Sequence, residues 1–241
     1  MSTDRAENSD STVEVRPATV FEDVATLVGP KRSPTANVCF CLAYRLRNKE
    51  HNALHGTTRG EKMRELCTLD PPPGVVAYQD GEPVGWAAVH PRAATSFAVN
   101  RRIPHLDDLA VWSLWRVRVR PGHRKQGITG KLIDGAVEHA RANGAPAVEA
   151  YPVDNGGERV DMTMAYVGTR HMFEKTGFTV VAETDSVLDG FPRVLMRRNL
   201  RRHCAGIEQA LTEWKDAGSL PTVMTSQARR GRSRKDVLVV S

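Results

Sequence analysis

The chain has 241 residues, 40% of them hydrophobic and 26% charged, and a formal net charge of +6. That is ordinary globular composition, enough for a packed core in one or two domains. No run approaches the ~18 apolar residues of a membrane helix, and residues 1–12 lack the basic and apolar regions of a secretory signal. The chain's four cysteines do not make a disulfide scaffold in a sequence this long. The expectation is a soluble, cytoplasmic protein with reduced thiols and no membrane partner. Cys39-x-Cys41 without a second ligand pair gives no zinc site, so no metal is expected.

Residues 197–241 hold ten basic and four acidic groups. The whole charge excess therefore lies there, and residues 1–196 are balanced, which argues against a nucleic-acid partner for the fold itself.

In chain order, residues 1–12 are rich in Ser, Asp and Glu and read as disordered. Val13 to Pro17 alternates as a short strand, and Phe21 to Val28 suits a short helix. Residues 29–36 form a Lys-, Arg- and Pro-bearing loop. Val38 to Leu46 is apolar enough to be buried, as strand or helix. Thr57 to Leu69 reads as a helix stopped by three prolines at 71–73. Two apolar runs, Val75 to Tyr78 and Val84 to Val89, flank Asp80-Gly81, a hairpin signal. Val111 to Val119 suits a strand buried on both faces. Ile128, Leu132, Ile133, Ala136, Val137 and Ala140 recur at helical spacing, and Gly144 ends that helix. Ala147 to Val153 is the next strand and Met162 to Lys175 the next helix. Phe178 to Ala182 and Arg193 to Met196 close the pattern around Asp189-Gly190. Alternating strands and helices imply an α/β layer. Residues 201–218 are expected to hold a C-terminal helix, with Ile207, Leu211 and Trp214 on one face, and residues 219–241 a basic tail. One narrow apolar stripe makes such a helix dock either on the domain or on a second copy, the second case giving a homodimer.

The segment Val117 to Leu132 carries the chemistry. A buried strand runs into a basic, Gly-bearing turn that opens a helix. Helix N-terminal amides lack internal partners and bear partial positive charge, so this is an anion site. Gly127 and Gly130 allow close approach, and Arg124, Lys125 and Lys131 add charge. The nucleotide-binding Gly-x-x-x-x-Gly-Lys-Ser/Thr and Gly-x-Gly-x-x-Gly patterns are both absent. The alternative reading is an ordinary strand–helix turn with surface cations.

Arg124-Lys125-Gln126-Gly127-Ile128-Thr129 resembles the Q/R-x-x-G-x-G/A signature of the GNAT superfamily, the acyl-CoA-dependent N-acyltransferases. Phe173-Glu174-Lys175-Thr176-Gly177-Phe178 resembles that family's later helix end, 51 residues along counting from Arg124 to Glu174. The resemblance covers roughly residues 13–200. It implies a GNAT fold, a mixed central β-sheet flanked by helices, here with the C-terminal helical extension. It also implies acetyl-CoA as co-substrate. Backbone groups of Val117, Arg118 and Val119 would then hold the pantetheine arm, and amides from Lys125 through Gln126, Gly127, Ile128 and Thr129 to Gly130 the pyrophosphate. Tyr166 stands where the family often places an Asn on the cofactor arm. Thr129 departs from the family's Gly or Ala.

Amine acyl transfer needs a base for the amine proton and an acid for the leaving thiolate. By resemblance, Glu149 is the base; its alternative is an exposed strand residue or an ion-pair partner. The family's usual acid, a Tyr, is replaced here by Phe173, so Tyr151 and Tyr166 become the candidates, each with core packing as its alternative. His105, Asp107, Asp108, Asp154 and Asn155 could line an acceptor cleft or simply a solvated loop. The expected function is acetyl transfer from acetyl-CoA to a primary amine on a small molecule or protein. The rival is a non-catalytic acyl-CoA-binding regulatory module.

Overall fold

The computed structural model describes residues 12–161 and 166–200. Its centre is one seven-stranded sheet in the order β1-β2-β3-β4-β5-β7-β6. β1 (Val13–Pro17), β2 (Gly74–Gln79), β3 (Glu82–Pro91) and β4 (Trp112–Val119) form an antiparallel run. β5 (Ala147–Ala150) lies parallel to β4, and the hairpin of β6 (Thr179–Leu188) and β7 (Phe191–Asn199) closes the sheet antiparallel to β5. The sheet is mixed because the β4–β5 crossover carries a helix, α4 (Ile128–Ala142).

Each face has its own core. On one, the apolar stripe of α4 (Ile128, Leu132, Ile133, Ala136, Val137) packs with Val75, Val89, Leu114 and Val148. On the other, α1 (Phe21–Val28) and α3 (Thr57–Cys67) pack with Trp86, Phe97 and Trp115. The backbones approach closely under α4. A methyl group on Gly135 would lie 2.4 Å from Val15 Cγ1, and one on Gly85 would lie 2.6 Å from Leu132 Cδ1.

The Asp80-Gly81 turn takes the positive φ values, 53° and 85°, that a tight hairpin demands. Other expectations shift. The helix predicted to end at Leu69 ends at Cys67. Val38 to Leu46 is neither strand nor helix; its turns use Phe40 and Cys41 at positive φ. A polar helix, α2 (Asn48–Ala53), had no apolar stripe to announce it. The strand predicted from Ala147 to Val153 stops at Ala150, before Pro152, which has no N–H to donate. Val153 makes only isolated bridges to Thr169 and Arg193. The helix predicted over 162–175 is reduced, within the described residues, to α5 (Arg170–Glu174), because Gly168 with φ 85° breaks the chain there. Arg197 and Arg198, read from sequence as part of the basic C-terminal region, belong to β7. The expected disordered N-terminus (apart from Thr12), the C-terminal helix with its docking or dimer role, and the basic tail all lie outside the described residues.

Candidate functional site

The site grows from a β-bulge. The β3–β4 register passes from Ala88↔Arg116 to Val89↔Leu114, so Trp115 is the extra residue. A bulge puts two successive side chains on one face. Trp115 joins the core beside α1, with its indole N–H donating to Cys41 O at 3.3 Å, and Arg116 lines a cavity with Val28 and Cys41 on that same face. Val117 and Val119 turn to the α4 side.

Beyond the bulge the sheet opens. β4 and β5 pair only from Trp112↔Val148 to Leu114↔Ala150, while β4 continues to Val119. Arg120 N–H donates to Val84 O on the β3 side, so by alternation the amides of Val117 and Val119 face the opening. The Val117 amide is taken: it donates to Tyr166 O at 3.3 Å. Two residues expected to hold the cofactor arm thus bond to each other. The Tyr166 hydroxyl shares a 2.9 Å hydrogen bond with Tyr44, and Arg116 lies 5.0 Å over the Tyr166 ring. Burial, then the hydrogen bond to Tyr44, pushes the Tyr166 pKa up, so the phenol keeps its proton at neutral pH.

The opening leads to the loop before α4. Lys125 and Gly127 take left-handed conformations, φ 64° and 75°, and no side chain caps the helix. The amides of Gly130 and Lys131 both donate to Gly127 O, at 3.1 and 3.3 Å, so the first turn folds back on Gly127. Helix geometry leaves the amides of Ile128 and Thr129, ahead of them, without an intrahelical acceptor. A methyl group at Gly122, Gly127 or Gly130 would meet nothing within 4 Å, which describes an open cradle. Arg124, Lys125 and Lys131 are exposed beside it. Gln126 bridges the loop to β2, accepting from Gln79 Nε2 at 3.1 Å. The donor set therefore suits phosphate oxygens: amides at the positive end of a 15-residue helix, with surface cations around them.

Glu149 sits opposite Ser113, one pair before the opening, and is fully buried. Its Oε2 accepts from Arg92 Nη1 at 2.7 Å and from Tyr151 at 3.2 Å; its Oε1 accepts from Arg197 Nη2 at 2.7 Å. Arg197 continues to Asp107. Of the two readings of Glu149, this geometry is the ion-pair one. The lone pairs a proton would need are occupied by guanidinium N–H groups and the Tyr151 hydroxyl. Tyr151 is equally enclosed. It shares a 2.7 Å hydrogen bond with Ser113 and stacks on Phe97 at 4.2 Å. Burial first, then the charge of Glu149, raises its pKa. Arg92 and Arg197 were not singled out in sequence, because their partner stands 57 and 48 positions away.

The remaining candidates scatter. Asp107 belongs to the Arg197 pair, and Asp154 pairs with Arg170 at 2.9 Å. His105 is exposed, 3.3 Å from Ala98 O. Phe173 is buried edge-on to Phe178 at 5.1 Å and offers no proton. The Cys41 thiol is buried, which pushes its pKa up to about 11 and away from nucleophilic use. Among the described residues no group of three potential metal ligands occurs and no helix is long and apolar enough to cross a membrane.

A seven-stranded mixed sheet thus opens beside a helix N-terminus whose first amides have no intrahelical acceptor. Residues 42–178 match the acetyltransferase (GNAT) family, and the protein belongs to that family. Its activity is acetyl transfer. Similar solved structures include Ard1 from Thermoplasma volcanium, at 13% identity over 78% of this chain and 98% of that one, TM-score 0.45. The PaiA N-acetyltransferase from Thermoplasma acidophilum in complex with coenzyme A is 15% identical over 78% and 99%, TM-score 0.45. The NatC complex bound to Gag peptide and CoA gives 12% over 78% and 99%, TM-score 0.46. No curated protein matches the chain.

Proposed function

We propose that the protein transfers the acetyl group of acetyl-CoA directly to a primary amine, in the cytoplasm. The observation that carries this reading is the open edge of β4 running into the uncapped N-terminus of α4. The amides of Ile128 and Thr129, with Arg124 and Lys125 beside them, hold the pyrophosphate. Gly127 keeps the cradle clear, and Thr129 adds a hydroxyl there. The outward amide of Val119 is offered to the pantetheine arm, and that of Val117 becomes available when the Tyr166 carbonyl yields it. Once the donor is seated, the amine nitrogen attacks the thioester carbon. The C–S bond breaks, CoA leaves as thiolate, and the ammonium proton passes to solvent.

Tyr166 is the group assigned to protonate the thiolate. Its carbonyl lies at the opening and its hydroxyl, shared with the half-buried Tyr44, keeps its proton at neutral pH, whereas Tyr151 points its hydroxyl into the buried Glu149 cluster. Glu149 and Tyr151 are assigned to holding the β4–β5 junction in register, not to proton transfer.

The test has two parts. Acetyl-CoA should raise the melting temperature by mass action, and Gly127→Asp should abolish that rise while the fold persists. A non-glycine residue at this φ costs roughly 1–2 kcal/mol, well short of unfolding a domain. Equal protection of both proteins would remove the loop from the donor site. Tyr166→Phe should retain protection but lose ~10²-fold or more in CoA release with amines. Donor binding without any CoA release would leave the acyl-CoA-binding regulatory module instead.

A further inference from the structure

On the face of β4 away from α4 lies a cavity of about 430 Å³ that the donor loop does not use. Its charged lining is Lys31 and Arg32 from the loop after α1, and Arg116 and Arg118 from β4; no carboxylate lines it. Among the described residues none of these four forms a salt bridge, and the buried Nε of Arg116 has no hydrogen-bond partner. Arg197 and Arg198, also on the sheet, are by contrast each held by carboxylates. Here the cations crowd each other. Burial, then Arg116, holds Arg118 below its ordinary pKa, and burial, then Arg118, does the same to Lys31.

Arg116 rests on the Tyr166 ring and Lys31 donates to Thr26 O, but among the described residues none of the four has a counter-ion, and partly desolvated positive charge of this kind is stabilised when an anion arrives. The position says which anion. The bulge at Trp115 turns Arg116 to this face, while the backbone amide of Val117 beside it faces the opening to which the thioester is assigned above. α4 covers the opposite face of the sheet, so an acceptor that reaches the opening through the cavity on the α1 side passes these arginines. We propose that the acceptor is an amine that also carries an oxyanion, a carboxylate or a phosphate, held by Arg116 and Arg118 with Lys31 and Arg32 at the mouth. This rests on the reading of the protein as an amine acetyltransferase and narrows its substrate class.

The test compares four amines of similar length, butylamine, 1,4-diaminobutane, 4-aminobutyrate and 3-aminopropyl phosphate, by thiol detection of released CoA. The anionic amines should exceed butylamine in kcat/KM by roughly 10- to 100-fold, the range of a charge-assisted hydrogen bond or two. Which of them leads separates carboxylate from phosphate. Arg116→Gln and the exposed Arg32→Gln should each shrink that advantage while KM for acetyl-CoA stays constant. An advantage for butylamine or the diamine would overturn the proposal. So would variants that raise only the KM for acetyl-CoA, since the cavity would then read a phosphate of the donor. If no amine releases CoA, the transferase reading has failed, and calorimetry with glutarate and inorganic phosphate decides the cavity separately. Binding that is lost in both variants supports an anion site, and absence of binding overturns it.

Discussion

At the scale of single residues, the sharpest consequence concerns Glu149. A carboxylate shared by two buried arginines resists replacement, because removing its charge strands both guanidiniums in the core. Breaking a buried pair this way costs about 3–5 kcal/mol. Glu149→Gln should therefore lower the melting temperature strongly, and its turnover per folded molecule should keep the wild-type pH profile. The opposite result, an unchanged melting curve with the acidic limb of the pH–rate profile gone, would restore Glu149 as the base. The residue was visible in sequence as an acid in an apolar strand. Its ion pairs were not, because Arg92 opens a three-residue 3-10 helix that no periodicity announces, and Arg197 reads as the start of the basic C-terminal segment.

Among the elements, α4 is the best determined from sequence and the most exacting in three dimensions. Its apolar spacing and the stop at Gly144 predict the helix that is seen, Ile128–Ala142. Two glycines bring its backbone onto the sheet. Gly135→Ala would raise helix propensity by up to ~1 kcal/mol on an isolated helix, yet the new methyl would meet Val15 at 2.4 Å. Overpacking of this kind typically costs about 1–3 kcal/mol, so the variant should be less stable by urea denaturation, and Val15→Ala should recover part of the loss. A variant more stable than wild type would show that β1 moves away freely. The elements that sequence missed share a physical cause. α2 has no buried residue, β5 is cut short by the opening, and the bulge at Trp115 leaves no mark in a run of alternating Trp, Val and Arg. The short β5 and the bulge shape the opening beside β4, so the Gly-bearing loop was legible as a local motif and the cavity on the other face was not.

For the molecule as a whole, the buried layer between β3 and α4 is expected to contribute acid sensitivity. His90 and His139 flank Trp112, at 5.8 and 5.5 Å between ring centroids. Burial, then Arg45, lowers the His90 pKa to about 4, and burial lowers that of His139. The unfolded chain binds protons on these rings near pH ~6.5, while the folded chain keeps them neutral. Stability should therefore be full above pH ~6.5 and fall as pH drops towards 4, by on the order of 3 kcal/mol for His90 alone. Urea unfolding at pH 7 and 5 should show that slope, and His90→Gln should flatten it. A slope unchanged in the variant would place acid sensitivity in the carboxylates instead.

The Arg197 bridge also has a place in time. Its bonds to Glu149 and Asp107 span 48 and 90 positions of chain, and it arrives on the last strand of the sheet. Closing loops of that length is entropically expensive, so such contacts form late on the folding path. Interactions absent from the transition state govern how fast a protein comes apart more than how fast it assembles. The cost of Glu149→Gln should thus fall on the unfolding limb of the chevron: this cluster of charges acts as a clasp that sets the lifetime of the folded state.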